Sequence, residues 1–324
     1  VLVLVKNDKY FGMAAKVDKI TVRVTPDPTA AVQALENKEV ELIWPQPDAD
    51  LIAQLENLGD AIEFSVIDQY SYEHFDLNFA NPLFQDKAVR RAFALCAPRE
   101  EIIETLIKPV NAKAAPQDDV FYYPFEQNYK PGNGDLAKQD IAKAKSELEA
   151  AGWKLNGEVY EKDGKKLAFK ITRRDPQPRR QKTIELTINA CKKAGMAITE
   201  DTVPSADFGK RLDSGTWDVI LFGWIGSPTK LSTKSIFVTN GGQNDGKYSN
   251  KEVDALLDEA DITIDPAKLP PILNKANELI LTDVATIPIF TFSGVGAWVP
   301  ELKGVAPSPT QAGDLWNASK WSKG

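Results

Sequence analysis

Along this chain the apolar residues switch repeatedly between a period of two and a period near 3.6. That alternation of short strands with amphipathic helices constrains the fold more than any other feature. Ile20, Val22 and Val24 face one way and Thr21 and Arg23 the other, the pattern of a half-buried strand. Asp27 then offers an N-cap and Pro28 a first-turn residue whose missing N–H is harmless there, opening a helix with Ala31, Val32 and Leu35 on its apolar face. A strand through Val40, Leu42 and Trp44 ends at Pro45, and a helix from Asp50 stops at Gly59. Strands are predicted over 62–67 and 72–79, and a helix over 86–96 that Pro98 interrupts and 99–107 resumes. Residues 111–133, rich in Pro, Gly, Asn and Tyr, read as an ordered surface loop. Helices follow over 136–151, 179–194, 252–260 and 266–281, with a short one over 208–212. Strands are placed over 167–172, 198–203, 219–224 and 287–292. The predicted class is α/β in the broad sense, a mixed α+β fold.

The 324 residues, 43% apolar, suffice for one large or two medium domains. A net charge of −7 argues against a nucleic-acid partner, which selects a basic face. No run of 18 apolar residues offers a membrane-spanning helix. The opening Val1-Leu2-Val3-Leu4-Val5 is too short for a leader's apolar region and carries no cleavage pattern. It is read as a buried strand of a longer protein, so the absent leader does not point to the cytoplasm.

The sequence offers little for catalysis. His74 is the sole histidine and reads as a hydrogen-bonded or solvent-facing strand residue. Phosphate-loop, dinucleotide and nucleophile-elbow motifs do not occur. Glu100, Glu101 and Glu104 read as a solvated helix face. No cofactor or metal is expected, and no enzymatic activity. Cys96 and Cys191 each lie on the apolar face of a helix, and two readings stand: buried inert thiols, or a disulfide tying the helices together.

Several segments, in order, resemble the family 5 solute-binding proteins, the peptide/nickel-type receptors of ABC importers. They are Val17–Ile20 with Pro26–Leu35; Phe75-Asp76-Leu77-Asn78-Phe79 with Phe84–Ala92; Asp140–Gly152; Trp217–Trp224; and Tyr248-Ser249-Asn250-Lys251-Glu252-Val253-Asp254, continuing to Ile287-Pro288-Ile289. The resemblance implies a class II periplasmic-binding-protein-like fold, one lobe plus remnants of the other. Residues 1–20 would be a remnant of lobe I and hinge, 21–290 the ligand-binding lobe II, and 291–324 the return to lobe I. It also implies capture of oligopeptides or a peptide-like small molecule in an interlobe cleft, delivery to a membrane permease, and a monomer that is exported and lipid-anchored at the cell surface. A peptide-signal or cell-wall-fragment sensor on the same fold is the alternative, with a hydrolase a distant third.

The resemblance places the site on the Gly-Trp strand: Gly223, Trp224, Ile225, Gly226 and Ser227. There an extended ligand would pair with the backbone and Trp224 would supply a flat wall. In dipeptide-type members an Asp shortly after this Trp holds the ligand's amino group. The matching position here is Ser227, so a free peptide N-terminus is not expected to be held that way. Arg174 falls near the family's carboxylate clamp, a role that suits a guanidinium. Tyr122, Tyr123 and Phe125 read as loop packing.

Overall fold

The structure, a computed structural model, describes residues 1–25, 27–226, 229–310, 312–313 and 315–324. It divides into two compact units: residues 1–70, 106–114 and 292–324 form the first, and residues 71–105 and 115–291 the second.

In the first unit, helix Pro28–Glu36 begins where Asp27 accepts hydrogen bonds from the N–H groups of Thr29 and Ala30. Helix Ala49–Leu58 is capped by Asp48 through Leu51 N at 2.8 Å. It ends at Gly59, whose φ of +50° suits glycine. Both helices lay their apolar stripes on a core with Ile43, Ala297, Trp298, Leu302 and Trp321, while strand Leu42–Ile43 pairs antiparallel with Ala297–Trp298. This shared core explains why residues 21–70 group with 1–20 and 292–324. Leu2–Val5 does form a strand, paired antiparallel with Lys19–Val22. All four of its residues are exposed rather than buried, since that one ladder is its strand contact in the chain.

In the second unit the strand order runs Ala197–Pro204, Ala168–Asp175, Val219–Ile225, Glu63–Leu77 (from Ser71 on) and the start of Thr286–Trp298. The first three are mutually parallel, and Val219–Ile225 runs antiparallel to its partner, with Trp224 opposite Tyr72, Gly223 opposite Glu73 and Phe222 opposite His74. The two strands predicted over 62–67 and 72–79 are one continuous strand, Glu63–Leu77. The segment predicted to resume as a helix over 99–107 is a short α-helix, Arg99–Ile102, followed by a π-helical turn, Ile103–Ile107.

Helix Lys87–Cys96 and helix Pro178–Lys193 are joined by a disulfide between Cys96 and Cys191, both fully buried. A second cluster packs helices Lys251–Ile262 and Leu269–Thr282 against Val120, Phe121 and Tyr122 of the irregular loop. Asp119 folds that loop: its carboxylate accepts from Phe121 N at 2.7 Å and Tyr122 N at 3.0 Å. Among the described residues no helix is long and apolar enough to cross a membrane.

Candidate functional site

Strand Val219–Ile225 begins fully buried at Val219, Ile220 and Leu221 and rises to the surface, where Ile225 is 60% exposed. Its alternation puts Ile220, Phe222 and Trp224 on one face, clustered with Trp217, Phe208 and Leu212. Cross-strand pairing brings Tyr72 and His74 to the same face. The rings there form a continuous array. His74 meets Phe222 edge-on at 4.4 Å between centroids and stacks on Trp224 at 5.8 Å with planes 5° apart. Phe222 meets Trp224 at 4.9 Å, and Tyr72 meets His74 at 5.4 Å. Tyr123, from the irregular loop, meets Tyr72 edge-on at 6.2 Å and stacks with Phe125 at 5.6 Å. Lys230 lies 5.2 Å and 5.3 Å from the ring centroids of Tyr122 and Tyr123 and pairs with Glu126 at 2.6 Å.

Polar atoms lie buried among these rings. Tyr72 Oη, His74 Nε2 and Trp224 Nε1 are inaccessible and have no hydrogen-bond partner in the protein. Buried polar groups are nearly always paired, and each left unpaired costs about 1–3 kcal/mol. The three lie on one face of two adjacent strands. Burial also pushes the Tyr72 hydroxyl well above its ordinary value, reinforced by Tyr123, Asp76 and Asp119, so it stays a neutral donor and acceptor.

Arg174 joins the same face. Strand Ala168–Asp175 runs parallel to Val219–Ile225 with Arg173 beside Leu221, so Arg174 lies next along, on the side of Phe222. Its Nε is buried without a partner. Arg173, on the other face, is committed to Glu200 and to Asp175 at 2.8 Å.

The structure thus gathers Trp224 and Arg174 on one face. Gly223 lies opposite Glu73, whose fully buried carboxylate pairs with Arg180 and with Arg179 at 3.3 Å. Ile225 alternates to that same side, and Ser71 Oγ bonds the Trp224 carbonyl at 2.9 Å, fixing the strand end. Gly226 follows, partly exposed, and Ser227 lies outside the described residues. Tyr72, His74 and Asp76 were not singled out from sequence as site residues, although their alternation along one strand was the available signal. Among the described residues no group of three His, Cys, Asp or Glu side chains could hold a metal ion.

Comparison with known proteins supplies the context. The profile for bacterial extracellular solute-binding proteins, family 5 middle, matches residues 1–247. The oligopeptide-binding protein OppA of Mycobacterium tuberculosis is 27% identical over 304 residues, covering 91% of this chain and 50% of that protein. The chain thus spans about half the length of that relative. The periplasmic EDTA-binding protein EppA superposes with a TM-score of 0.91 at 23% identity, over 99% of this chain and 61% of that one. The oligopeptide-binding protein AppA of Bacillus subtilis, solved with a nonapeptide, gives 0.84 at 24% identity, over 99% and 64%. These likenesses show the fold, and it is the mixed α/β architecture of a class II periplasmic binding protein.

Proposed function

The chain belongs to the family 5 bacterial extracellular solute-binding proteins, and from that premise we propose that it is the peptide-capturing part of an ABC importer's receptor. The observation that carries this reading is the aromatic face of strands Ser71–Leu77 and Val219–Ile225, with three buried polar atoms unpaired among its rings. Aromatic walls hold a ligand's bulk at little cost in side-chain freedom, and unpaired donors and acceptors suit the alternating N–H and C=O groups of a peptide. Exposed Ile225 and partly exposed Gly226 continue the strand's backbone beyond the rings, as an added ligand strand would need. The peptide-binding names of OppA and AppA support the same ligand class.

Gly223, Trp224, Ile225 and Gly226 form the backbone edge of this site and Arg174 its anion-facing cation, with Ser227, outside the described residues, next in sequence. The protein hands its ligand to a membrane permease, works as an exported, lipid-anchored monomer and turns nothing over. The second unit corresponds to the core of the ligand-binding lobe.

Native mass spectrometry of the gently purified protein tests the reading. A ladder of adducts at peptide masses, removable by mild unfolding and restored by a nonapeptide pool, is the expected result. Failure to bind any peptide from two to twelve residues would remove it.

A further inference from the structure

His74 is fully buried at the centre of the ring array, and its two ring nitrogens stand in opposite circumstances. Nδ1 lies 2.9 Å from Asp76 Oδ1 and 3.3 Å from Thr286 Oγ1. The carboxylate can only accept. The Thr286 hydroxyl donates its own proton to the Phe75 carbonyl at 3.2 Å, so its oxygen also faces Nδ1 as an acceptor. Both neighbours therefore require the proton on Nδ1. In the neutral ring this fixes the tautomer and leaves the lone pair on Nε2, which has no partner in the protein.

We infer that His74 Nε2 is the specificity-setting acceptor of this site, taking a hydrogen bond from an N–H of the ligand, with Asp76 as the residue that positions it. The inference rests on the peptide-capture reading and narrows it. The ligand must present an N–H where His74 accepts and, beside it, a carbonyl where Trp224 Nε1 donates. The N–H and C=O of one extended residue point the same way, as in an antiparallel ladder, and satisfy both.

Trp224 covers the imidazole, stacked 5.8 Å away with planes 5° apart. Its indole N–H is itself unpaired, so no hydrogen bond from that ring pins the cover in place. Trp224 is partly exposed and stands one residue from the surface residue Ile225. His74 is held by Asp76 and Thr286.

The chain has a single histidine, so a protein labelled with 15N-histidine gives one pair of ring nitrogens to follow. Without ligand, the expected spectrum has a protonated Nδ1 and a bare Nε2. A pool of free nonapeptides should shift Nε2 towards the hydrogen-bonded range and leave Nδ1 in place. His74→Phe, which keeps a ring in the stack, should weaken binding of the pool about tenfold or more. Asp76→Asn should mix the two tautomers and weaken binding several-fold, adding little when combined with H74F. A bare Nδ1 in the free protein, or a proton on both ring nitrogens, would overturn the inference, as would peptide binding that leaves Nε2 unmoved and H74F unaffected. In that second case peptide capture itself would stand. No binding of the pool, with the expected tautomer present, would instead remove the peptide-capture reading and the inference with it.

Discussion

The indole of Trp224 and the imidazole of His74 lie face to face, 5.8 Å between centroids and 5° from parallel, on strands whose residues are 150 positions apart in the chain. Each ring carries one buried nitrogen without a hydrogen-bond partner in the protein. A pair so placed gives up polar satisfaction in the free protein, which is the expected signature of a surface organised for something else to complete it.

Trp224→Ala should therefore separate binding from stability. The ring is only partly buried, so its loss should cost about 1–2 kcal/mol of folding free energy. Aromatic anchors of this kind carry about 2 kcal/mol or more of binding, so affinity for a nonapeptide pool should fall about thirtyfold. Calorimetry on the purified variant reads the change, and unchanged affinity would count against the site.

The Cys96–Cys191 bond closes a loop of 95 residues between two buried helix positions. Constraining the unfolded chain over such a loop is worth about 2–4 kcal/mol. Ellman's reagent should find no free thiol in the unfolded, unreduced protein. Replacing both cysteines by serine should lower Tm by about 5–15 °C.

Glu73 is buried between Arg179 and Arg180 on the face opposite the rings. Glu73→Gln keeps the shape but removes the buried carboxylate charge from beside two guanidinium groups. Breaking a buried pair in this way costs about 3–5 kcal/mol. A urea titration should show a markedly lower midpoint with an unchanged slope, and an unaltered midpoint would mean that solvent screens the arginines.

Burial pushes the Asp119 carboxyl up to about 7, despite the opposing N–H groups of Tyr122, Phe121 and Lys130. The unfolded value is about 3.9, so between these limits the folded state holds more protons. Asp119 thus contributes stability that is fully present below about pH 4 and is lost as pH rises through about 7. Asp119→Asn retains an oxygen for Phe121 N and Tyr122 N and should flatten that part of the profile. Thermal melts at pH 5 and pH 8 should differ by a few °C less in the variant than in the parent.

Local chemistry was legible in the sequence. Asp27 caps its helix and Gly59 ends the next, because caps and left-handed stops depend on one or two residues. Strand Val219–Ile225 was readable from its apolar run and from family resemblance. The partners of Trp224 were not, since pairing with Tyr72 and His74 is set by register between distant strands. Resemblance alone pointed to Arg174, while the pleat sends Arg173 to Glu200 and Arg174 to the ring face. The grouping of residues 21–70 with 292–324 follows from a core shared by segments far apart in the chain.

Hydrogen–deuterium exchange on the protein with and without a nonapeptide pool tests the central claim most directly. The account predicts protection concentrated at the amides of Gly223–Gly226, where the strand edge and rings would receive the ligand, with lesser protection at Ser71–His74. Peptide binding that protects another surface and leaves Gly223–Gly226 exchanging as before would contradict it.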